Sequence, residues 1–204
     1  MSDIGRYRES SLHLALKWWV AAEQAQFEVD VNSYVIDVVQ DDGLIEIQTG
    51  NFSAMKTKLH ALLPDYAVRV LHPIAAARWL VTLDETGNRL KRRKSPKRGH
   101  PAHIFNQLVY WPDAIVHHPN LSIQVVMIHD EEIRVDDGKG SWRRKGVSIH
   151  DRHLLNVVEV HDFDTPHDFK RLLKQPLPPA FTTADIATSL DQPRRIAQRL
   201  AYCF

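Results

Sequence analysis

An α/β fold built around a mixed sheet is what this sequence predicts, and three observations carry the expectation. Residues 10–27 contain no Pro or Gly and repeat apolar side chains at Leu12, Leu16 and Trp19, the spacing of a helix with one buried face. Residues 34–39 and 44–48, YVIDVV and LIEIQ, are β-branched runs joined by the acidic turn QDDG, the pattern of a tight hairpin. Residues 52–63 then read as a second amphipathic helix, so helix and strand patterns alternate along the chain.

In the first helix Glu23 follows Trp19 by four residues and belongs to the same stripe. An acid on a buried face needs a partner or a metal, because an unpaired buried charge costs several kcal/mol; the alternative is a helix end that emerges into water at Glu23. In the hairpin, a loop at Asp41-Asp42 or over residues 40–43 pairs residues whose numbers sum to 83. Asp37 then faces Glu46, and Gln48 lies on the same side of the sheet as Glu46. Like charges directly opposite destabilise a sheet by up to about 1 kcal/mol, and a cation held between them reverses that sign. Two converging carboxylates with a polar group two residues on make a cradle for a divalent metal. The alternative is a solvent-facing edge where the acids splay apart, and a bulge would shift the pairing.

A helix carrying Glu23, a strand with Asp37, a strand with Glu46-Ile47-Gln48 and a following amphipathic helix resemble the PD-(D/E)xK nuclease superfamily over residues 10–80. That resemblance implies a restriction-endonuclease-like mixed sheet flanked by helices and hydrolysis of phosphodiester bonds in DNA with Mg2+ or Mn2+. It makes Asp37 and Glu46 the metal ligands and Glu23 an outer-shell or second-metal ligand. The usual strand lysine is replaced by Gln48, as in some members, and Lys56 or Lys58 on the next helix could supply the cation. Gln48 would then orient the attacking water or the phosphate, while the lysine stabilises developing negative charge. Without either lysine the fold persists and catalysis does not. The phrase LIEIQTGNFSAMKTKL, followed by a basic KSPKRG segment, also resembles an uncharacterised bacterial and archaeal family, which implies no activity.

Composition is compatible with this reading without selecting it. The 44% apolar and 25% charged shares are ordinary for a globular protein, and a net charge of +1 excludes a generally basic nucleic-acid binder. The single Cys203 excludes an intramolecular disulfide and suits a reducing cytoplasm. No apolar run reaches membrane-spanning length, and MSDIGRYRESS lacks the apolar core of a signal peptide. A soluble cytoplasmic protein without a membrane partner is expected.

Charge distribution says more than its total. Arg89, Lys91, Arg92, Arg93, Lys94, Lys97 and Arg98 follow one another without an acid, and Trp142-Arg143-Arg144-Lys145-Gly146 forms a second basic cluster. Both read as exposed loops forming a localised phosphate-binding surface, for DNA ahead of RNA. Solvated loops or protein-binding arms are the alternative.

The remaining middle yields strands at residues 66–73 and 77–83 and a helix at 102–111 stopped by Pro112. A long strand follows at 121–134, leading into a hairpin at Asp136-Asp137-Gly138, and then a mixed segment at 147–163 with a short helix near 151–155. Of the 12 histidines, those in HPAH and VHHPN lack the spacing of a zinc site, while the denser set of His150, Asp151 and His153 reads either as a metal or acid–base group or as surface and loop histidines.

Residues 1–173 read as the nuclease-like domain and the proline-rich KQPLPPAF at 174–181 as a linker. Residues 182–204 form a small helix-turn-helix module, with helices at 183–190 and 193–202 and Thr183 and Asp191 as N-caps. The pair resembles a partial winged helix, which would aim Arg194, Arg195, Gln198 and Arg199 at DNA; otherwise it is a hairpin that caps the sheet or joins two subunits. Cutting both strands of a duplex would favour a homodimer. Two further readings stay open: a non-catalytic nucleic-acid-binding protein on the same fold, and a protein-interaction factor.

Overall fold

The computed structural model describes residues 10–40, 43–144 and 146–203. Its elements are α1 (Ser11–Val20), β1 (Gln26–Val31), β2 (Tyr34–Gln40), β3 (Gly43–Ile47), α2 (Lys56–Leu62), β4 (Val68–Leu83) and β5 (Arg89–Lys94). The short helices α3 (Phe105–Leu108) and α4 (Asp113–Val116) follow, then β6 (Leu121–Asp136), β7 (Val147–Phe163), α5 (Thr183–Leu190) and α6 (Arg194–Cys203). The fold is α/β: among the described residues, seven strands form a mixed open sheet flanked by helices, in the order β1-β2-β3-β4-β6-β7 with β5 on β4. β3 and β4 run parallel, as a crossover through α2 requires, whereas β1–β2, β2–β3 and β4–β5 are antiparallel.

Of the boundaries that differ from the sequence expectation, four do so for a reason beyond the local pattern. The first helix stops at Val20, seven residues short of the expected end. Its continuation is drawn into the sheet, with Gln26 opposite Val39 and Val31 opposite Tyr34, and the Ala22 N–H donates to Gln40 Oε1 at 3.1 Å. The two strands expected on either side of Pro73 are the single strand β4. Its ladder with β3 ends at Leu71, so the N–H that Pro73 lacks would have had no partner on that side. The basic segment expected as a loop is strand β5, set in register by a turn in which Asp84 Oδ1 accepts from the N–H of Thr86 (2.9 Å) and of Asn88 (2.8 Å). The expected helix near residues 151–155 is absent, because β7 is one strand of 17 residues.

The chain divides into two compact units. The first holds α1, Ala75–Gly99 and Met127–Glu159, with Leu12, Leu16, Leu80, Val81, Met127 and Ile128 in its core. Its interior also contains charge. Asp130 is fully buried on β6, taking Nε and Nη2 of Arg78 at 2.9 and 2.8 Å and Nη2 of Arg152 at 2.6 Å. Glu132, on the same side of β6, takes Arg78 Nη1 at 2.9 Å and Arg134 Nε at 2.7 Å. Carboxylates withdrawn from water persist only with such partners.

The second unit holds Ala21–Ile74, His100–Val126 and the chain from Val160. Ile36, Val38, Ile45, Ile47, Val70 and Leu71 are buried together with Leu59, Leu62, Phe105 and Leu108. The Trp111 indole donates to Phe52 O at 2.8 Å, and its ring stacks on Phe52 with centroids 4.6 Å apart. Helices α5 and α6 belong to this unit, and the start of the proline-rich segment is pinned to α5 by Lys174 N–H to Ser189 O at 2.9 Å. Thr182, one residue earlier than expected, caps α5 in a reciprocal box with Asp185. Asp191 closes α5 in the left-handed region (φ 52°) instead of capping α6.

Candidate functional site

The β2–β3 hairpin keeps the register that brings the two acids together. Val38 pairs with Ile45, Val39 with Leu44 and Gln40 with Gly43, each pair summing to 83; the ladder ends there, one step before Asp37 and Glu46, which remain close enough for the charge of one to act on the other. The Asp41-Asp42 turn itself lies outside the described residues. Asp37 is half-buried and its Oδ2 accepts the Ile47 N–H at 2.8 Å. Glu46 is 6% exposed.

A lysine completes the group. Lys58 on α2 brings Nζ to 2.5 Å from Glu46 Oε1 and donates to Val35 O at 2.6 Å, which ties the helix to both strands of the hairpin. The Lys58 ammonium is thus the charged partner of this buried carboxyl. Burial, and then the negative charge of Asp37, push the Glu46 carboxyl from its ordinary 4.5 up to about 7, with Lys58 pulling the other way. Near neutral pH Glu46 therefore exchanges a proton readily. Such a group is ready to trade that proton for a metal ion or to move it in a reaction.

The other expected members divide. Gln48 is half-buried just past β3, where its Nε2 donates to Asn51 O at 2.7 Å and its own carbonyl meets His72 Nδ1 at 2.5 Å. Its amide is spent on the turn into α2, and its side-chain oxygen remains the group able to accept. Lys56 is exposed at the start of α2, and of the two candidate lysines only Lys58 reaches the acids. Glu23 is a correction: the helix ends before it, and Glu23 is exposed in the turn leading to β1. Among the described residues no three His, Cys, Asp or Glu side chains gather as a metal cage. The donor set nevertheless fits a hard dication of the magnesium type, which needs only one or two carboxylates and fills its remaining positions with water or phosphate oxygen.

The first basic cluster is an exposed ribbon in the first unit. All six residues of β5 are exposed, and Arg92 and Lys94 lie over the Trp79 ring at 5.2 and 5.1 Å from its centroid. Arg92 also pairs with Glu131 at 2.7 Å, while Arg93 and Lys91 stand opposite Leu80 and Thr82. Lys97 and Arg98 follow in the exposed segment after the strand. Trp79 was not singled out in the sequence, although its place on the strand ARWLVTLD ahead of the basic run is the signal that finds it. In the second cluster Arg143 is exposed against the Trp142 ring, and Lys145 lies outside the described residues.

Helix α6 does not project freely. Arg199 hydrogen-bonds Asn106 Oδ1, Arg194 Nε donates to Thr183 Oγ1 at 3.1 Å, and His117 Nε2 meets Cys203 O at 3.1 Å. Arg195 and Gln198 remain exposed beside Tyr202.

A family model described as "Domain of unknown function (DUF8091)" matches residues 10–164. The chain belongs to the DUF8091 family. The matched span contains the hairpin, α2 and the basic ribbon, and ends before α5 and α6. A protein of Treponema pallidum (strain Nichols), described as an uncharacterized protein, is 35% identical over 185 residues, covering 90% of this DUF8091 chain and 73% of the relative. No solved structure matches it. Among the described residues no helix is long and apolar enough to cross a membrane.

Proposed function

We propose that this chain is a divalent-cation-dependent phosphodiesterase acting on nucleic acid, DNA ahead of RNA, with Asp37, Glu46 and Lys58 as its reactive group. One observation carries the reading: a buried carboxyl that burial and the charge of nearby Asp37 hold near 7 has a helix lysine 2.5 Å away. The order α1–β1–β2–β3–α2–β4, with β3 and β4 parallel, also supports the resemblance to PD-(D/E)xK nucleases.

Asp37 and Glu46 would hold Mg2+ or Mn2+, which supplies an activated water and charge neutralisation at the phosphate when bound. Glu46 would hold the cation in its ionised form, its proton having passed to solvent. Lys58, released from Glu46, turns its ammonium to the phosphate oxygens and stabilises the charge that develops there. The Gln48 side-chain oxygen accepts from the attacking water and orients it. Arg92, Arg93 and Lys94 on the exposed ribbon contact the phosphate backbone without reading sequence.

Cleavage of DNA and RNA in Mg2+ or Mn2+ tests this reading, together with calorimetric titration of Mn2+. Asp37→Ala should abolish both activity and cation binding, and Lys58→Ala should lower the rate by roughly 100-fold or more while leaving cation binding in place. A wild-type protein that neither cleaves nor binds Mn2+ would overturn it. The second reading, a nucleic-acid-binding protein without catalysis, is favoured by Lys58 already neutralising Glu46 and by Asp37 being engaged with the Ile47 N–H. It requires salt-sensitive DNA affinity that does not respond to Asp37→Ala.

A further inference from the structure

Strand β5 is cationic on both of its faces, and that limits what can lie against it. Its ladder with β4 sets Lys94 opposite Trp79 and Arg92 opposite Val81, with Arg93 opposite Leu80 and Lys91 opposite Thr82. Alternate residues of a strand point to opposite sides of the sheet, so Arg92 and Lys94 stand on one side and Lys91 and Arg93 on the other. The Trp79 ring holds the first pair on its side, with Arg92 and Lys94 5.2 and 5.1 Å from its centroid. Of the five cations in the strand, Arg92 alone is paired with an acid among the described residues, Glu131. Asp84 and Glu85, the nearest acids along the chain, lie in the turn that precedes it.

The line of charge continues beyond the strand. The Ser95 N–H donates to Arg78 O at 2.7 Å and the Gly99 N–H to Ala75 O at 2.8 Å, so the exposed Lys97 and Arg98 stay along the same edge of β4. Among the described residues β5 has β4 as its one neighbour, which leaves its outer edge open to a partner.

A partner that satisfies cations on both sides of an open edge must have two anionic walls. A single strand of nucleic acid, or an acidic protein surface, lies against one side and leaves the other pair facing water. The groove of a duplex has a phosphate backbone on each wall. A strand with side chains on both faces is about 10 Å thick, which suits the major groove of B-form DNA, about 12 Å wide, and not the minor groove, about 6 Å wide. That groove is about 8.5 Å deep, so β5 enters it while β4, about 4.8 Å behind, stays at the mouth. The six residues of β5 span about 20 Å, the rise of about six base pairs. The major groove of duplex RNA is too narrow to admit side chains.

We propose that the open β5 edge docks in the major groove of duplex DNA, with Arg92 and Lys94 on one phosphate backbone and Lys91 and Arg93 on the other. Docking of this kind rests on the nucleic-acid reading proposed above, and makes no use of the Asp37, Glu46 and Lys58 group.

The test is fluorescence anisotropy of the full chain with labelled oligonucleotides of one sequence, in EDTA so that no cleavage intervenes. Duplex DNA should bind at least about tenfold tighter than the single strand or the RNA duplex at the same salt. A duplex whose major groove is filled by glucosylated hydroxymethylcytosine should bind at least about tenfold more weakly than the plain duplex. Lys91→Ala/Arg93→Ala and Arg92→Ala/Lys94→Ala, exposed changes that should leave the circular dichroism spectrum intact, should each lower the log–log salt slope for duplex DNA by about 2. A wild-type slope in either double variant would overturn docking between two walls, as would equal affinity for single-stranded and duplex DNA or indifference to the filled groove. Absence of affinity for every nucleic acid would instead overturn the nucleic-acid reading itself, and the docking with it.

Discussion

Replacing Glu46 with glutamine keeps the size of a side chain that is 6% exposed and removes its charge, and the consequence can be worked out from the site. In the folded protein burial and Asp37 hold the carboxyl at about 7, against an ordinary 4.5. Between those values the native state binds more protons than the unfolded state, so stability falls as pH rises through that window. The whole displacement corresponds to about 3 kcal/mol. About 2.5 kcal/mol of it lies between about pH 5 and about pH 8.5, because the unfolded carboxyl is already mostly ionised at the lower limit. Urea unfolding of wild type and Glu46→Gln across that range measures it. The wild type should lose stability relative to the variant by that amount, and the difference should flatten above about pH 8. Parallel pH profiles for the two proteins would refute both the buried, raised carboxyl and the part it plays in the proposed chemistry.

Asp130→Asn should destabilise the protein by roughly 3 kcal/mol, since it leaves Arg78 and Arg152 facing one another without their shared carboxylate, and thermal unfolding reads it directly. Arg92→Ala and Lys94→Ala should each weaken DNA binding about equally across sequences and lower the log–log salt slope by about 1, measured by fluorescence anisotropy at several salt concentrations. Acidification should also loosen the turn before α3. His100 Nδ1 accepts the Ala102 N–H at 3.2 Å and His103 Nδ1 the His100 N–H at 3.3 Å, roles that a protonated ring cannot fill. Burial holds both imidazoles below their ordinary 6.5, so the unfolded state takes up protons first and stability falls as pH drops below that value. His103→Gln should reduce that acid sensitivity in thermal melts.

Both units illustrate which parts of the fold and site were legible. Strand parity is a local property with a period of two, so the hairpin register from Val38–Ile45 to Gln40–Gly43 followed from YVIDVVQDDGLIEIQ. The same parity argument applied to Ile128, Asp130 and Glu132 would have found the buried acids of β6, which the long apolar alternation around them concealed. The helix pair at the C-terminus was legible because cap and turn residues act within a few positions of themselves, and the choice between Thr182 and Thr183 was the limit of that precision.

What this sequence determined by itself is therefore the alternation of helices and strands, the acid-bearing hairpin and the concentration of positive charge in RLKRRK, all set by neighbours close along the chain. Tertiary structure decided the rest. Pairing of Gln26–Val31 with β2 ended the first helix and took Glu23 out of the site, although the residues between are good helix formers. The packing direction of α2 chose Lys58 over Lys56, since positions two apart on a helix face nearly opposite ways. A ladder with β4 turned the basic run into a strand. The position of β7 at the end of the sheet removed the alternation that would have announced it, because an edge strand with both faces partly in water has no single side to bury.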